Sequence, residues 1–159
     1  MPAFQLQRKQ RLHATIGEVW DFISSPSNLK EITPPHMGFD IIGDRIDRKM
    51  YAGQIITYTV RPVLGVAMRW VTEITHVREL EYFVDEQRVG PYKLWHHQHI
   101  IEPVSNGVIM TDIVTYVPPL GWIGSLANRV WIRKELESIF NYRHEILDKK
   151  FRVASKVSS

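Results

Sequence analysis

The sequence predicts an α+β domain: seven antiparallel strands, two short helices between strands 1 and 2, and one long C-terminal helix. Three observations predict it. From Phe83 to Tyr116, three runs of alternating character are separated by Gly90-Pro91 and Ser105-Asn106-Gly107, the punctuation of consecutive antiparallel strands. Near the start, Thr15 and Glu18 stand three apart ahead of a run at helical spacing, which is a capping box. Beyond Pro118-Pro119, apolar residues recur with helical period as far as Lys150. At 159 residues, the whole chain (1–159) reads as a single domain able to bury its own core.

Phe4 to Leu12 alternates Phe4 and Leu6 with Gln5 and Gln7, a strand with one wet face. In the first helix Ile16, Val19, Trp20 and Ile23 point inward. Ser24-Ser25-Pro26-Ser27 breaks it, with Ser25 or Ser27 available to cap a second short turn over Asn28 to Ile32. Thr33-Pro34-Pro35 ends that turn in extended geometry. Strand 2 spans Gly38 to Ile46, with Phe39 and Ile41 on one face, before a surface turn at Asp47-Arg48-Lys49. Strand 3 spans Gly53 to Arg61, with Ile56, Tyr58 and Val60 sharing a face, and Pro62-Val63-Leu64-Gly65 turns the chain. Strand 4 spans Val66 to Val77, with Met68, Trp70, Thr72 and Ile74 opposite Arg69, Val71, Glu73 and Thr75. Glu79-Leu80-Glu81 leads into the three strands already described. Ser125 caps a helix from about Leu126 to Lys150, whose stripe takes in Arg133, Leu136, Phe140, Arg143 or His144, and Leu147. The tail from Val153 frays.

Lys and Arg number 20 against 17 Asp and Glu, a net +3 without a basic stripe, so nucleic acid is not an expected partner. No cysteine is present, which removes disulfides and thiolate chemistry and fits a cytoplasmic location. No signal-peptide pattern opens the sequence and no run approaches the ~18 apolar residues of a membrane span, so stable membrane insertion is not expected.

Several stretches carry a family resemblance: V-W-D-F-I-S-S-P-S-N-L from Val19, I-T-P-P from Ile32, F-V-D-E-Q from Phe83, G-P-Y-K-L-W-H-H-Q-H from Gly90, M-T-D-I-V-T-Y-V-P-P-L-G from Met110, and I-F-N-Y-R from Ile139. The chain resembles the helix-grip proteins of the START and birch-pollen-allergen superfamily, in the SRPBCC group. Within that group it is similar to the bacterial branch labelled cell-division-inhibitor-like or polyketide-cyclase-like. The resemblance implies a curved sheet wrapped around the C-terminal helix, with an interior that side chains do not fill. A cell-division role is not carried over, because the chain has no dinucleotide fingerprint.

On their strands Phe83, Asp85 and Gln87 share a face, as do Trp95, His97 and His99, and Asp112, Val114 and Tyr116. Polar groups interleaved with aromatic rings suit the wall of a ligand cavity. Tyr58, Trp70, Trp95 and Tyr116 offer apolar bodies with polar tips, and Arg143 either anchors an anionic group or pairs with Asp85 or Asp112. The expected ligand-binding set is therefore Tyr58, Trp70, Asp85, Gln87, Trp95, His97, His99, Asp112, Tyr116 and Arg143, and the expected partner is a small hydrophobic or amphipathic molecule. His97 and His99 lie about 6.5 to 7 Å apart along one strand, a spacing from which two ligands can converge on a metal with Asp85 or Asp112. A hydrogen-bonded polar network is the preferred reading, with no metal and no cofactor assigned. His97, His99 and Asp112 are the candidates for acid-base catalysis of a cyclase or dehydratase type, and whether any reaction occurs stays open. Trp122, between Gly121 and Gly124, is placed as a lid over the cavity mouth or as a dimer or membrane contact, so a homodimer also stays open.

Overall fold

The computed structural model describes residues 2–43, 49–63, 66–119 and 131–157, with side chains excluded at 62–63 and 153–157. β1 (Phe4–Leu12) leads into helix α1 (Ile16–Ile23) and two 3₁₀ turns (Pro26–Lys30 and Pro35–Met37). The strands β2 (Asp40–Ile42), β3 (Gln54–Val63), β4 (Val66–Arg78), β5 (Tyr82–Val89), β6 (Leu94–Val104) and β7 (Gly107–Val117) follow, then helix α2 (Arg133–Val157). All seven strands form one curved antiparallel sheet in the order β1-β7-β6-β5-β4-β3-β2. β2 to β7 is thus a meander, and β1 closes beside β7 with Phe4 opposite Tyr116 and Leu12 opposite Val108.

The first helix begins as its sequence dictates. The Thr15 hydroxyl accepts from the Glu18 backbone N–H at 3.3 Å, and the Glu18 carboxylate accepts from the Thr15 N–H at 2.8 Å. Replacing Thr15 by Ala is expected to cost about 1 kcal/mol, read as a lower urea midpoint with an unchanged slope. Val19, Trp20, Phe22 and Ile23 are buried. Trp20 meets Phe83 edge to face at 6.2 Å, and Phe22 meets Phe151 at 6.0 Å, so α1 and the C-terminal end of α2 share one core.

α2 buries Leu136, Phe140, Arg143, Leu147 and Phe151, an i, i+4, i+7, i+11, i+15 stripe. Arg133 and His144 are exposed, Arg133 pairing with Glu137 at 3.1 Å, so the inward stripe is narrower than expected. The helix also runs past Lys150 to Val157, where fraying was expected. Its expected start at Leu126, the Ser125 cap and the Trp122 loop lie outside the described residues, as do Asp47, Arg48, Leu64 and Gly65.

Four other expectations change. β2 covers Asp40–Ile42 and leaves out Gly38, Phe39 and Gly43, while Asp44, Arg45 and Ile46 of the expected strand lie outside the described residues. Ser25 stands at the N-cap of its turn without capping it, because its hydroxyl donates to Asp21 O at 2.8 Å. Pro34 is extended, but Pro35 opens a new 3₁₀ turn, its fixed φ suiting a first helical position. Pro62 and Val63 continue β3, where the register shift between Val60 and Val63 accommodates a residue without an N–H donor.

Two further irregularities bend the sheet. Ile74 pairs with Asp85 and His76 with Val84, leaving Thr75 unmatched, and Arg88 is unmatched between Gln87 and Val89. Such bulges add twist and bend the strand. Past Thr75 the alternation resets, so Val77 turns inward and packs on the core where strict alternation would send it out. At the β6–β7 hairpin Gly107 has φ +140°, and a Cβ there would lie 2.1 Å from the Leu12 carbonyl oxygen. A Gly107→Ala variant is therefore expected to lose 1 to 3 kcal/mol, roughly the range for strained backbone, measured by urea unfolding.

Candidate functional site

Strand register assembles the polar cluster. β6 lies between β5 and β7, with Asp85 opposite His97 and His99 opposite Asp112. All four side chains face α2, so two imidazoles from one strand are flanked by a carboxylate from each neighbour. The rings lie 3.7 Å apart, centroid to centroid. His97 Nε2 donates to Asp112 Oδ1 at 3.0 Å, and His99 Nε2 donates to Asp85 Oδ2 at 2.7 Å. The other two nitrogens face the opposite carboxylates: His97 Nδ1 is 3.4 Å from Asp85 Oδ2, and His99 Nδ1 is 3.0 Å from Asp112 Oδ1. Each imidazole therefore spans both acids.

From α2, Arg143 Nη2 donates to His99 Nδ1 at 3.1 Å and lies 3.5 Å from Asp112 Oδ1. Of the two partners expected for Arg143, the pairing is with Asp112. Phe83 stacks on His99 at 4.1 Å, and Phe140 meets His97 edge to face at 5.5 Å, so the ring planes are clamped by apolar groups.

Burial decides the charges. His97 is 5% exposed, and loss of solvent, reinforced by repulsion from His99, pulls its pKa down to about 4 despite the two carboxylates. It is neutral at pH 7. Burial pushes the Asp112 carboxyl up, but the Arg143 guanidinium, the bond from His97 and the adjoining His99 ring outweigh it and hold the group well below the usual carboxylate range. Asp85 behaves alike: burial raises it, while His97, His99 and Arg143 together bring it below its ordinary value. Tyr58 is pushed upward by burial and by Asp85, and stays a phenol whose hydroxyl sits 3.1 Å from Thr72 Oγ1.

Beside the cluster, between the sheet and α2, lies a cavity of about 160 Å³. Seven of the ten expected residues line it: Tyr58, Trp70, Asp85, Trp95, His97, His99 and Arg143. Three do not. Asp112 stands behind the imidazoles. Tyr116 packs among Phe4, Tyr92 and Trp95. Gln87 is spent on the β5–β6 connection, its Nε2 donating to Tyr92 O at 2.6 Å and its Oε1 accepting from the Tyr92 N–H at 3.2 Å. An amide used twice locally has little left for a ligand. That clamp carries Tyr92 into the cavity wall beside Trp70 and Trp95, a placement that sequence reasoning missed because Tyr92 follows Gly90-Pro91 and carries no strand period. Two buried donors of the wall, Trp70 Nε1 and Arg143 Nε, have no hydrogen-bond partner among the described residues.

No protein-family model matches the chain, and no curated protein matches its sequence. Solved structures do. The di-domain ARO/CYC StfQ from the steffimycin biosynthetic pathway superposes with a TM-score of 0.73 at 11% identity, over 97% of this chain and 52% of that one. The KanY protein gives 0.68 at 14% identity, covering 96% and 99% of the two chains. Major latex-like protein 151 of Panax ginseng gives 0.66 at 12% identity, covering 94% and 97%. At these identities the likeness concerns architecture. With its seven-stranded curved sheet closed on one long terminal helix, the chain has the helix-grip fold that these solved structures share.

Proposed function

We propose that the chain binds a small hydrophobic or amphipathic molecule in the cavity between the sheet and α2. The observation that carries this reading is the pair of unpartnered buried donors, Trp70 Nε1 and Arg143 Nε, in a wall built mostly from aromatic and aliphatic side chains. An unsatisfied buried N–H costs about 1 to 3 kcal/mol, so two in one wall favour a guest that brings acceptor oxygens. The volume sets its size. About 160 Å³ is close to the ~150 Å³ of a cavity that takes up benzene, so the guest is a single ring or a short chain unless the wall opens. Tyr58 and Asp85 complete the polar end, and the cysteine-free composition suits a cytoplasmic binder.

A second reading, a cyclase-like enzyme, draws on the likeness to StfQ and on His97 backed by Asp112. With a pKa of about 4, His97 is a weak base at neutral pH, which places binding ahead of proton abstraction.

The test is native mass spectrometry of protein purified from its own host, joined to a thermal-shift screen of small aromatic carbonyl compounds. A bound species of defined mass, or a shift of several degrees that Trp70→Phe diminishes, is expected. Absence of both would remove the binding reading. For the enzyme reading, unchanged turnover of a linear polyketide thioester by a folded His97→Gln/His99→Gln double variant would exclude these histidines as the base.

A further inference from the structure

We propose that Asp85 Oδ2, His97 Nδ1 and His99 Nε2 form a binding site for one divalent transition-metal ion of the zinc, iron(II) or cobalt(II) type, on the cavity side of the cluster. The proposal goes beyond ligand binding and does not depend on what the cavity holds.

Distances come first. One ligand atom from each residue lies within 4.8 Å of the other two. Metal–ligand bonds of about 2.0 to 2.1 Å in a tetrahedral arrangement place ligand atoms roughly 3.3 Å apart. Asp85 Oδ2 is 3.4 Å from His97 Nδ1, close to that edge length, and 2.7 Å from His99 Nε2, a hydrogen-bond distance that opens when a metal replaces the bridging proton.

The state of the ligands comes second. His97 already holds its proton on Nε2, toward Asp112, so Nδ1 is a lone pair. Asp85 Oδ2 is an acceptor as well, and no hydrogen bond joins the two. Two facing lone-pair donors on buried side chains ask for a cation between them. His99 needs one change: its proton moves from Nε2 to Nδ1, where Asp112 Oδ1 waits at 3.0 Å, and Nε2 is freed for the metal. Arg143 Nη2 gives up His99 Nδ1 and keeps Asp112, 3.5 Å away. No proton leaves the cluster in this exchange.

The surroundings come third. Metal-binding imidazoles characteristically send the remote N–H to a carboxylate that fixes their orientation. Here one carboxylate, Asp112, serves both rings. Two carboxylates facing a single guanidinium also leave the cluster short of positive charge. Two histidines and one carboxylate suit ions of this class, and Asp85, His97 and His99 all line the cavity, leaving the remaining coordination positions for an oxygen from water or a guest.

The test uses full-length protein without an affinity tag, stripped with chelator and titrated with Co²⁺ and Zn²⁺. One equivalent of Co²⁺ is expected to develop the visible ligand-field absorption of a low-coordinate site, and Zn²⁺ is expected to displace it. In calorimetry, Asp85→Asn and His99→Gln should each weaken Zn²⁺ by at least ~100-fold. Asp112→Asn, acting through the imidazoles, should weaken it by ~10 to 100-fold. His96→Gln, on the outer face beside Glu86, should bind as the parent does. Wild-type protein that takes up no stoichiometric Co²⁺ or Zn²⁺ would overturn the proposal without reference to any variant. So would binding that survives in a folded His97→Gln/His99→Gln protein, or that depends on His96.

Discussion

Replacing Asp112 by Ala is expected to cost about 3 to 5 kcal/mol of folding stability, the loss typical of a buried ion pair deprived of one partner. Asp112 is 7% exposed and Arg143 9%, so neither charge is offset by solvent. The carboxylate accepts from His97, faces His99 Nδ1 and balances Arg143, and its removal strands all three in an apolar clamp of Phe83 and Phe140. Urea unfolding at pH 7 should show a much lower midpoint. Adding Arg143→Met to the variant should restore part of the loss, because the stranded charge is then gone. A loss below about 1 kcal/mol for Asp112→Ala would mean that the pair is solvated and the cluster open.

The second large effect is on pH. Folded His97 stays unprotonated down to about pH 4, whereas an imidazole in the unfolded chain takes up its proton near 6.5. Between these values the unfolded state binds more protons, so stability falls as pH falls. The depression corresponds to about 3 kcal/mol, fully lost by about pH 4. Asp85 and Asp112, held below their ordinary range, add a further loss under roughly pH 4, where the unfolded chain takes up carboxyl protons that the folded cluster does not yet accept. Urea midpoints taken at pH 7, 5.5 and 4.5 with EDTA present should decline steadily in the parent, and markedly less in His97→Gln. A flat profile in the parent would show that the imidazole is free to ionise inside the fold.

The architecture was legible because it rests on local chemistry. Period-two alternation, hairpin punctuation at Gly90-Pro91 and Asn106-Gly107, and the Thr15–Glu18 box each act within a few residues, and the first helix and the strands from β4 to β7 stand where those signals put them. The inward face of β6 was legible for the same reason, since His97 and His99 follow from alternation alone. Register was not legible. Nothing local says that Asp85 stands beside His97 or that Asp112 stands beside His99, because those pairings depend on the lengths of the β5–β6 and β6–β7 connections. Gln87 shows the limit in the other direction. It shares a face with Asp85, yet a local turn takes both ends of its amide, a competition that a face diagram does not contain. The aromatic wall was legible in part, through Tyr58, Trp70 and Trp95, while Tyr92 enters it from a connection.

Thr75 separates two properties that usually travel together. With it removed, the ladder of β4 and β5 from Ile74 onward would pair without interruption, and Ile74, His76 and Val77 would each keep their present side of the sheet. Hydrophobic pattern would survive while the local bend relaxed, so the curvature of this end of β4 is tunable by chain length alone.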